Sequence, residues 1–141
     1  MKTTPLLFLL LFIGLSLQRL VRISDCAELV NLLSRPQTHN YYELANNIYC
    51  QGIITSPIPS FSGILDGRSY AIIGLTVNCV GSRESLGLFS SLKSGAVVKN
   101  LYFIDCTVQG NEGAPYNAGM LAGEADCRHK ACSITNVHVK K

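Results

Sequence analysis

The chain has 141 residues, which is enough for one domain and not comfortably enough for two. Its net charge of +3 comes from scattered basic residues, and only 11 basic residues face 9 acidic ones once Lys2 is set aside with the leader described next. This small excess excludes a strongly basic surface for nucleic acid or anionic membrane. The 48% hydrophobic content is inflated by the same leader.

The N-terminus has the pattern of a secretory signal peptide. Lys2 precedes an apolar segment of 13 residues, Pro5–Leu17, which is short of the roughly 20 residues that span a membrane. The small residues Gly14 and Ser16 place cleavage near Ser16, with Gln18 as the other candidate boundary. Residues 1–16 are therefore predicted to be a signal peptide of an extracellular protein without a stable membrane span. An uncleaved anchor or a buried core helix is the alternative.

The cysteine content fits a secreted, disulfide-bonded domain, because an even number of cysteines in a short extracellular chain usually pairs. Six cysteines allow fifteen pairings. The close spacing of the last two favours a local bridge, and a bridge between the first two would tie an N-terminal helix to the next strand. The third and fourth would then pair by elimination. In chain order the six are Cys26, Cys50, Cys79, Cys106, Cys127 and Cys132.

The mature chain is predicted to begin with one helix inside an N-terminal cap, residues 17–40. Asp25 is a candidate N-cap, and Glu28 follows at capping-box spacing. Arg35 precedes Pro36, a context that disfavours helix and predicts its end. The apolar residues of the helix recur at helical spacing: Leu29, Val30, Leu32 and Leu33.

Residues 41–141 are predicted to form short strands, because apolar segments alternate with Gly, Asn, Ser and Pro. Pro57 and Pro59 are expected to interrupt regular pairing around Ile58. The candidate strands are Tyr41–Leu44, Ile53–Ile54, Gly63–Leu65, Ala71–Val77, Val97–Phe103, Met120–Ala122 and Ser133–Val139.

Three of these segments repeat one apolar pattern: residues 72–77, 98–103 and 134–139. A short repeat cannot bury its own apolar face, so successive copies are expected to stack into aliphatic columns. A residue suited to a left-handed bend precedes the central aliphatic residue of each copy. These residues are Gly74, Asn100 and Asn136. The expected columns are Ile72/Val98/Ile134, Leu75/Leu101/Val137 and Val77/Phe103/Val139.

A second, shorter element precedes the later copies, as Gly87-Leu88-Phe89 and as the segment 119–123, with Phe61-Ser62-Gly63 in the corresponding place before the first. Each period therefore contains a short strand, a turn, a second strand and a loop. This organisation predicts an all-β solenoid over residues 41–141, capped by the N-terminal helix. A Greek-key sandwich is the structural alternative.

The ordered elements resemble GLUG-type β-helix proteins. Residues 61–77 resemble their first rung, residues 87–101 and 119–137 resemble their core repeats, and residues 42–48 resemble their lead-in. The resemblance implies a short right-handed parallel β-helix of about three rungs. It also implies an adhesin-like architecture without shared catalytic residues. The chain departs from typical members in its shorter length and its six cysteines.

The main candidates for catalytic residues are Asp66, Arg68 and Asp105, because β-helix enzymes that act on acidic polysaccharides place aspartates on exposed faces. Asp66-Gly67 is, however, typical of a turn in which the carboxylate bonds the local backbone. Glycoside hydrolysis needs a second carboxylate about 5–10 Å away, which only Asp105 offers in the next repeat. We therefore expect no catalytic site, with a polysaccharide-acting enzyme of the pectin or alginate type as the alternative.

A metal site is not expected either. Cys127, His129 and Cys132 are closely spaced, but zinc needs four ligands and a disulfide is favoured in an oxidising compartment. No cofactor is predicted. His138 lies between Val137 and Val139, so its side chain is expected to point outward.

Binding is the function that the pattern favours, as a secreted, non-catalytic structural or binding module. Tyr102 is expected to face solvent, and the irregular loop 109–117 offers Asn111 and Tyr116 to a protein or glycan. No C-terminal cap follows the last repeat, so we expect its open rung to be covered by self-association, a partner or further sequence. The tyrosines are candidates for a carbohydrate-stacking face, with isolated exposed aromatics as the alternative: Tyr41, Tyr42, Tyr49, Tyr70, Tyr102 and Tyr116.

Overall fold

Parallel β-sheets dominate the structure, a computed structural model that describes residues 19–35, 40–78, 85–110 and 117–141. The predicted signal peptide lies outside the described residues. Helix α1 covers Cys26–Leu33. The strands are β1 Leu20–Ile23, β2 Tyr41–Leu44, β3 Ile48–Tyr49, β4 Ile54–Thr55, β5 Ile58–Phe61, β6 Ile64–Asp66, β7 Ala71–Ile73, β8 Thr76–Asn78, β9 Phe89–Lys93, β10 Val97–Ile104, β11 Thr107–Gln109, β12 Ala122–Asp126 and β13 Ser133–Lys140.

The predicted helix is confirmed, but a strand precedes it. Strand β1 pairs parallel with β2 and leads directly into α1. Asp25 is the N-cap, and its carboxylate accepts a hydrogen bond of 2.8 Å from the Glu28 amide. The Glu28 carboxylate in turn accepts from the Ser24 amide at 2.9 Å, so the two acidic side chains satisfy amides on both sides of the helix start.

The strands form three parallel sheets that the chain visits in rotation. The first sheet has the order β1-β2-β6-β10-β7-β3, with β13 paired to β10; the second is β11-β8-β4 and the third is β12-β9-β5. Paired residues in neighbouring strands of the first sheet lie 21 to 36 positions apart, from Leu20 with Tyr41 to Val97 with Ser133. Every strand pair within the described ranges is parallel, which contradicts the Greek-key alternative because that fold is antiparallel.

The register of the last two repeats is as predicted. In the pairing of β10 with β13, Val98 lies opposite Ile134, Leu101 opposite Val137, and Phe103 opposite Val139. The three residues of β10 are fully buried. The predicted columns therefore exist between these two copies.

The first copy was placed in the wrong register. Val98 lies opposite Leu65 and Phe103 opposite Ile72, so Ile72 belongs to the third predicted column, with Phe103, and not to the first, with Val98. The predicted single strand over residues 71–77 is two strands, because Gly74 adopts a φ of +74° and turns the chain between β7 and β8. Val77 therefore lies in the second sheet, opposite Val108.

Two strand boundaries also differ from expectation. The interruption predicted at Pro57 and Pro59 does not occur, since β5 pairs with β9 through Ile58. Strand β5 lies at the edge of its sheet, where the missing N–H of Pro59 does not remove a ladder hydrogen bond. The strand predicted at residues 120–122 begins later, as β12.

The interior enclosed by the three sheets is apolar and contains an aromatic stack. Tyr42 is buried against Phe61, with ring centroids 6.2 Å apart, and Phe61 stacks on Phe89 at 4.6 Å. Tyr42 is therefore a core residue and not part of an exposed tyrosine face. The predicted disulfide Cys26–Cys50 joins α1 to the end of β3 inside this core.

A column of polar side chains marks the bend in the middle of the first sheet. Asn100 and Asn136 both have a φ of +54°, as expected for the left-handed bend. Asn136 Nδ2 donates to Asn100 Oδ1 at 3.0 Å, and Asn100 Nδ2 donates to Asp66 Oδ1 at 3.4 Å. Each of these asparagine side chains thus donates a hydrogen bond to a polar side chain of the neighbouring strand. These hydrogen bonds hold the strands in register.

Candidate functional site

The outward face of the first sheet carries two side-by-side columns of side chains beyond the bend. Strand pairing places Ala71 beside Tyr102 and then His138 in one column. The hydrogen bond of 3.0 Å from the Ala71 amide to Asn47 Oδ1 extends this column by one strand. The second column runs in the same direction through Tyr49, Ile73, Ile104 and Lys140. We call these two columns the outer strip.

Alternation along each strand turns the outer strip toward solvent. Ile48 and Phe103 are fully buried, whereas their neighbours Tyr49 and Tyr102 lie on the outside. Tyr49 is 64% exposed, and Ile73 and Ile104 are half-buried. The outward position predicted for Tyr102 is therefore correct, as is that for the exposed His138.

One end of the outer strip is aromatic and cationic. The rings of Tyr102 and His138 stack with centroids 5.0 Å apart, and Lys140 Nζ lies 5.2 Å from the Tyr102 ring centroid. His138 Nε2 lies 2.7 Å from Asn136 Oδ1. Within the described residues Lys140 forms no salt bridge, so its charge is available to an anionic group.

The other end of the outer strip is a shallow cavity of about 380 Å³. This volume lies near the lower end of the range of roughly 300–1,000 Å³ that is usual for ligand pockets. The residues that line the cavity come from three parts of the chain that are adjacent in the fold. These are the turn before α1, the segment from the loop before β3 into that strand, and the residue before β7. The lining residues are Ser24, Asp25, Asn46, Asn47, Tyr49 and Tyr70.

The polar groups of the cavity are partly committed to the fold. Asn46 Nδ2 donates to the carbonyl oxygens of Ser24 and Asn47, and Asp25 Oδ1 caps α1. No hydrogen bond among the described residues uses Asn46 Oδ1, Asn47 Nδ2 or the two tyrosine hydroxyls. The cavity therefore offers both hydrogen-bond donors and acceptors to a ligand.

Beside the outer strip, on the other half of the first sheet, lies a pair of carboxylates that the sequence analysis only half identified. Strand pairing places Glu43 next to Asp66. Glu43 Oε1 accepts from Arg22 at 2.8 Å and from Arg68 at 3.4 Å, and it is largely buried. Tyr41 donates its hydroxyl to Asp66 at 3.0 Å. Sequence analysis did not identify Glu43, because a single glutamate forms no recognisable motif. Its position next to Asp66 follows only from the strand register.

The environment of Asp66 argues against acid catalysis. Partial burial alone would raise the pKa of the Asp66 carboxyl. Hydrogen bonds from the Arg68 amide, the Tyr41 hydroxyl and the Asn100 amide group, with the positive charge of Lys99, lower that pKa instead. A general acid in glycoside hydrolysis needs a raised pKa. Asp66 is therefore held as an ionised, hydrogen-bonded turn residue.

Asp105 does not lie beside Asp66. Asp66 is opposite Lys99, six positions before Asp105, so the two carboxylates are roughly 15–20 Å apart at about 3.3 Å per residue. Asp105 occupies a turn with a φ of +50°, and its amide donates to the Lys140 carbonyl at 3.0 Å. This separation exceeds the distance between paired carboxylates in glycosidases.

The hydrogen bonds to Asp66 predict a stability that falls in acid. Because the folded-state pKa lies below the ordinary value of 3.8, the unfolded chain takes up the proton first. The stabilisation is complete above that ordinary value and is lost as the pH falls through the lower folded-state pKa. We expect Asp66→Asn to be less stable than the parent chain near pH 5 and the difference to narrow toward about pH 2, as measured by urea unfolding. A difference that is constant with pH would contradict this account.

The second predicted disulfide is also present. Cys127 and Cys132 are bonded, so neither thiolate is free to bind zinc together with His129. Cys106 is unpaired among the described cysteines, and burial is the main cause that raises the pKa of its thiol. Its expected partner Cys79 lies outside the described residues, as do Asn111 and Tyr116 of the predicted binding loop. Disulfides of this kind are typical of extracellular proteins.

The last strand leaves apolar side chains uncovered. Ile134 is 53% exposed and Val139 is 58% exposed, although each lies directly over a fully buried residue of β10.

Among the described residues no group of three or more His, Cys, Asp or Glu side chains could hold a metal ion. None of the described helices has the length and apolar character needed to cross a membrane.

The chain was also compared with known proteins. No protein-family model matches it, and neither does any curated protein or solved structure.

Proposed function

We propose that the chain is a secreted, non-catalytic binding module that presents the outer strip on a short right-handed parallel β-helix of about three rungs. In this proposal the N-terminal signal peptide is removed, and the fold is that of the GLUG-type proteins that the repeats resemble. The rotation of the chain through three parallel sheets supports a β-helix. The disulfides Cys26–Cys50 and Cys127–Cys132 support an extracellular location.

The outer strip is the observation that carries the binding function. Aromatic side chains are enriched where proteins bind, because one flat ring supplies a large contact area at little entropic cost. Tyr49, Tyr70 and Tyr102 are brought to one face by strands that are distant in sequence. The apolar side chains between them, Ile73 and Ile104, are only half-buried.

The alternative, a polysaccharide-acting enzyme, has weaker support. Asp66 and Glu43 are adjacent, but both are committed to hydrogen bonds with the fold. The lowered pKa of Asp66 opposes a role as general acid, and Asp105 is too distant to assist.

Binding and turnover are separated by assaying the secreted chain in both ways. We expect it to bind ligands on a glycan or protein array without cleaving pectin, alginate or similar polymers. Tyr102→Ala is expected to weaken binding, whereas Ile54→Ala, an exposed apolar residue of the second sheet, is the matched control and should not. Release of polysaccharide fragments that Asp66→Asn abolishes would establish the enzyme instead.

A further inference from the structure

We propose that the outer strip binds an acidic oligosaccharide that lies across the strands. A neutral sugar occupies the cavity beside Tyr49 and Tyr70, and a carboxylate- or sulfate-bearing sugar lies at Lys140. This inference rests on the proposed function, since it assigns a ligand class and a direction to the same surface.

The dimensions of the outer strip suit a short, extended polymer. From β3 the strip crosses β7 and β10 to reach β13, which makes three spacings between neighbouring strands. At about 4.8 Å per spacing, the strip is roughly 14 Å long. The parallel strands keep this spacing even, so equivalent groups recur along the direction in which a chain of sugars would lie.

The cavity has the chemistry of a neutral sugar site. Tyr49 and Tyr70 offer ring faces to the C–H side of a pyranose. Asn46 Oδ1 and Asn47 Nδ2 supply an acceptor and a donor for its hydroxyl groups. The described residues of the lining include the carboxylate of Asp25 but no lysine or arginine, so an anionic sugar is disfavoured at this end.

The middle of the outer strip offers an apolar contact surface without side-chain groups that need hydrogen-bond partners. Ala71, between the cavity and Tyr102, is buried, so the accessible floor is formed by the half-buried side chains of Ile73 and Ile104. These side chains have no hydrogen-bonding atoms that a sugar would leave unsatisfied. The pyranose C–H faces can therefore rest on them while the hydroxyl edges stay in water.

The far end has a positive charge that the fold does not neutralise. Three of the described arginines, Arg22, Arg68 and Arg128, have a carboxylate partner. Lys140 lies over the Tyr102 ring without one among the described residues. Lys140 also lies on the terminal strand, away from Asp25. The two ends thus differ in charge, and this difference orients an acidic oligosaccharide.

The test uses titration calorimetry on the mature chain with two matched sets of ligands. One set contains short oligosaccharides of galacturonate, alginate and sulfated glycosaminoglycans; the other contains the carboxyl-reduced or desulfated counterparts. We expect the acidic set to bind more tightly and its affinity to fall with added salt.

Three variants test which end of the outer strip binds the neutral sugar and which end binds the acidic sugar. Replacing Tyr49 and Tyr70 together with alanine should weaken both ligand sets by about tenfold, the loss expected when aromatic contacts are removed. Lys140→Ala should weaken the acidic set alone, by about fivefold for one exposed charge pair. Lys130→Ala removes an exposed lysine outside the strip and should change neither set.

Three results would overturn the inference, and they leave different conclusions about function. If acidic and neutral ligands bind equally and Lys140→Ala changes neither, the assigned direction is wrong. If no oligosaccharide binds but an acidic protein does, and Tyr102→Ala weakens it, the ligand class is wrong while the binding function stands. Polymer cleavage that depends on Asp66 would remove both proposals. Circular dichroism and thermal unfolding of each variant test whether it is folded, so that a loss of affinity is not confused with unfolding.

Discussion

Replacing Phe103 with alanine is expected to lower the free energy of unfolding by about 3–5 kcal/mol, the usual cost of truncating a buried phenylalanine. Phe103 is fully buried and lies in register between Ile72 on one strand and Val139 on the next. Its removal opens a cavity that both neighbours would have to fill. Domains of this size are typically stable by only about 5–15 kcal/mol, so the variant should be close to unfolding.

Val139→Ala is the matched control for this prediction. Val139 lies in the same column as Phe103 but is 58% exposed, because no described strand lies beyond β13. Its truncation should cost less than about 1 kcal/mol, since most of its surface is already in water. Urea unfolding monitored by far-ultraviolet circular dichroism measures both values, and the chain contains no tryptophan to serve as a fluorescent probe. Equal costs for the two variants would show that β13 is covered as completely as β10.

The contrast between these two residues shows what the repeat pattern could predict. The copies at residues 98–103 and 134–139 were aligned correctly because each forms part of a single strand. Within such a strand, alternation fixes which side chains point inward, and it correctly turned Tyr102 and His138 outward. Burial, however, depends on whether a further strand lies above, which the pattern alone does not state.

The first copy shows where pattern matching fails. Residues 72–77 carry the same apolar spacing, but the bend at Gly74 divides them between two sheets. The true partner of Val98 is Leu65, which lies before the turn at Gly67. A spacing of two or three apolar residues is too short to distinguish these alternatives. The register was settled by the turns and not by the apolar residues.

The outer strip illustrates the same limit for the candidate site. Tyr49 belongs to a strand of two residues, which has no recognisable alternation of its own. Its proximity to Tyr70 follows from the pairing of Ile48 with Ile72, which sequence analysis did not provide. By contrast, the disulfides Cys26–Cys50 and Cys127–Cys132 were predictable from short spacing and order along the chain. Local features were therefore recovered, whereas surfaces assembled from distant strands were not.

Gly67→Ala is expected to destabilise the fold by about 3 kcal/mol or more, because overpacking against backbone is costly and has no flexible side chain to yield. A Cβ atom at Gly67 would lie 2.3 Å from the Asn100 carbonyl oxygen and 2.7 Å from Leu101 Cα. The Gly67 amide also donates to the Lys99 carbonyl at 2.8 Å. An added methyl group would therefore separate β10 from the turn that sets its register.

Gly52→Ala distinguishes this close approach from the general cost of losing a glycine. Gly52 has a φ of +77°, but nothing lies within 4 Å of the position that its Cβ would take. Alanine there should cost only about 1–2 kcal/mol, for left-handed backbone strain. Urea unfolding of both variants compares the two effects. A Gly67→Ala cost no larger than that of Gly52→Ala would mean that neighbouring strands are not held at the distance described, and the register that builds the outer strip would then need revision.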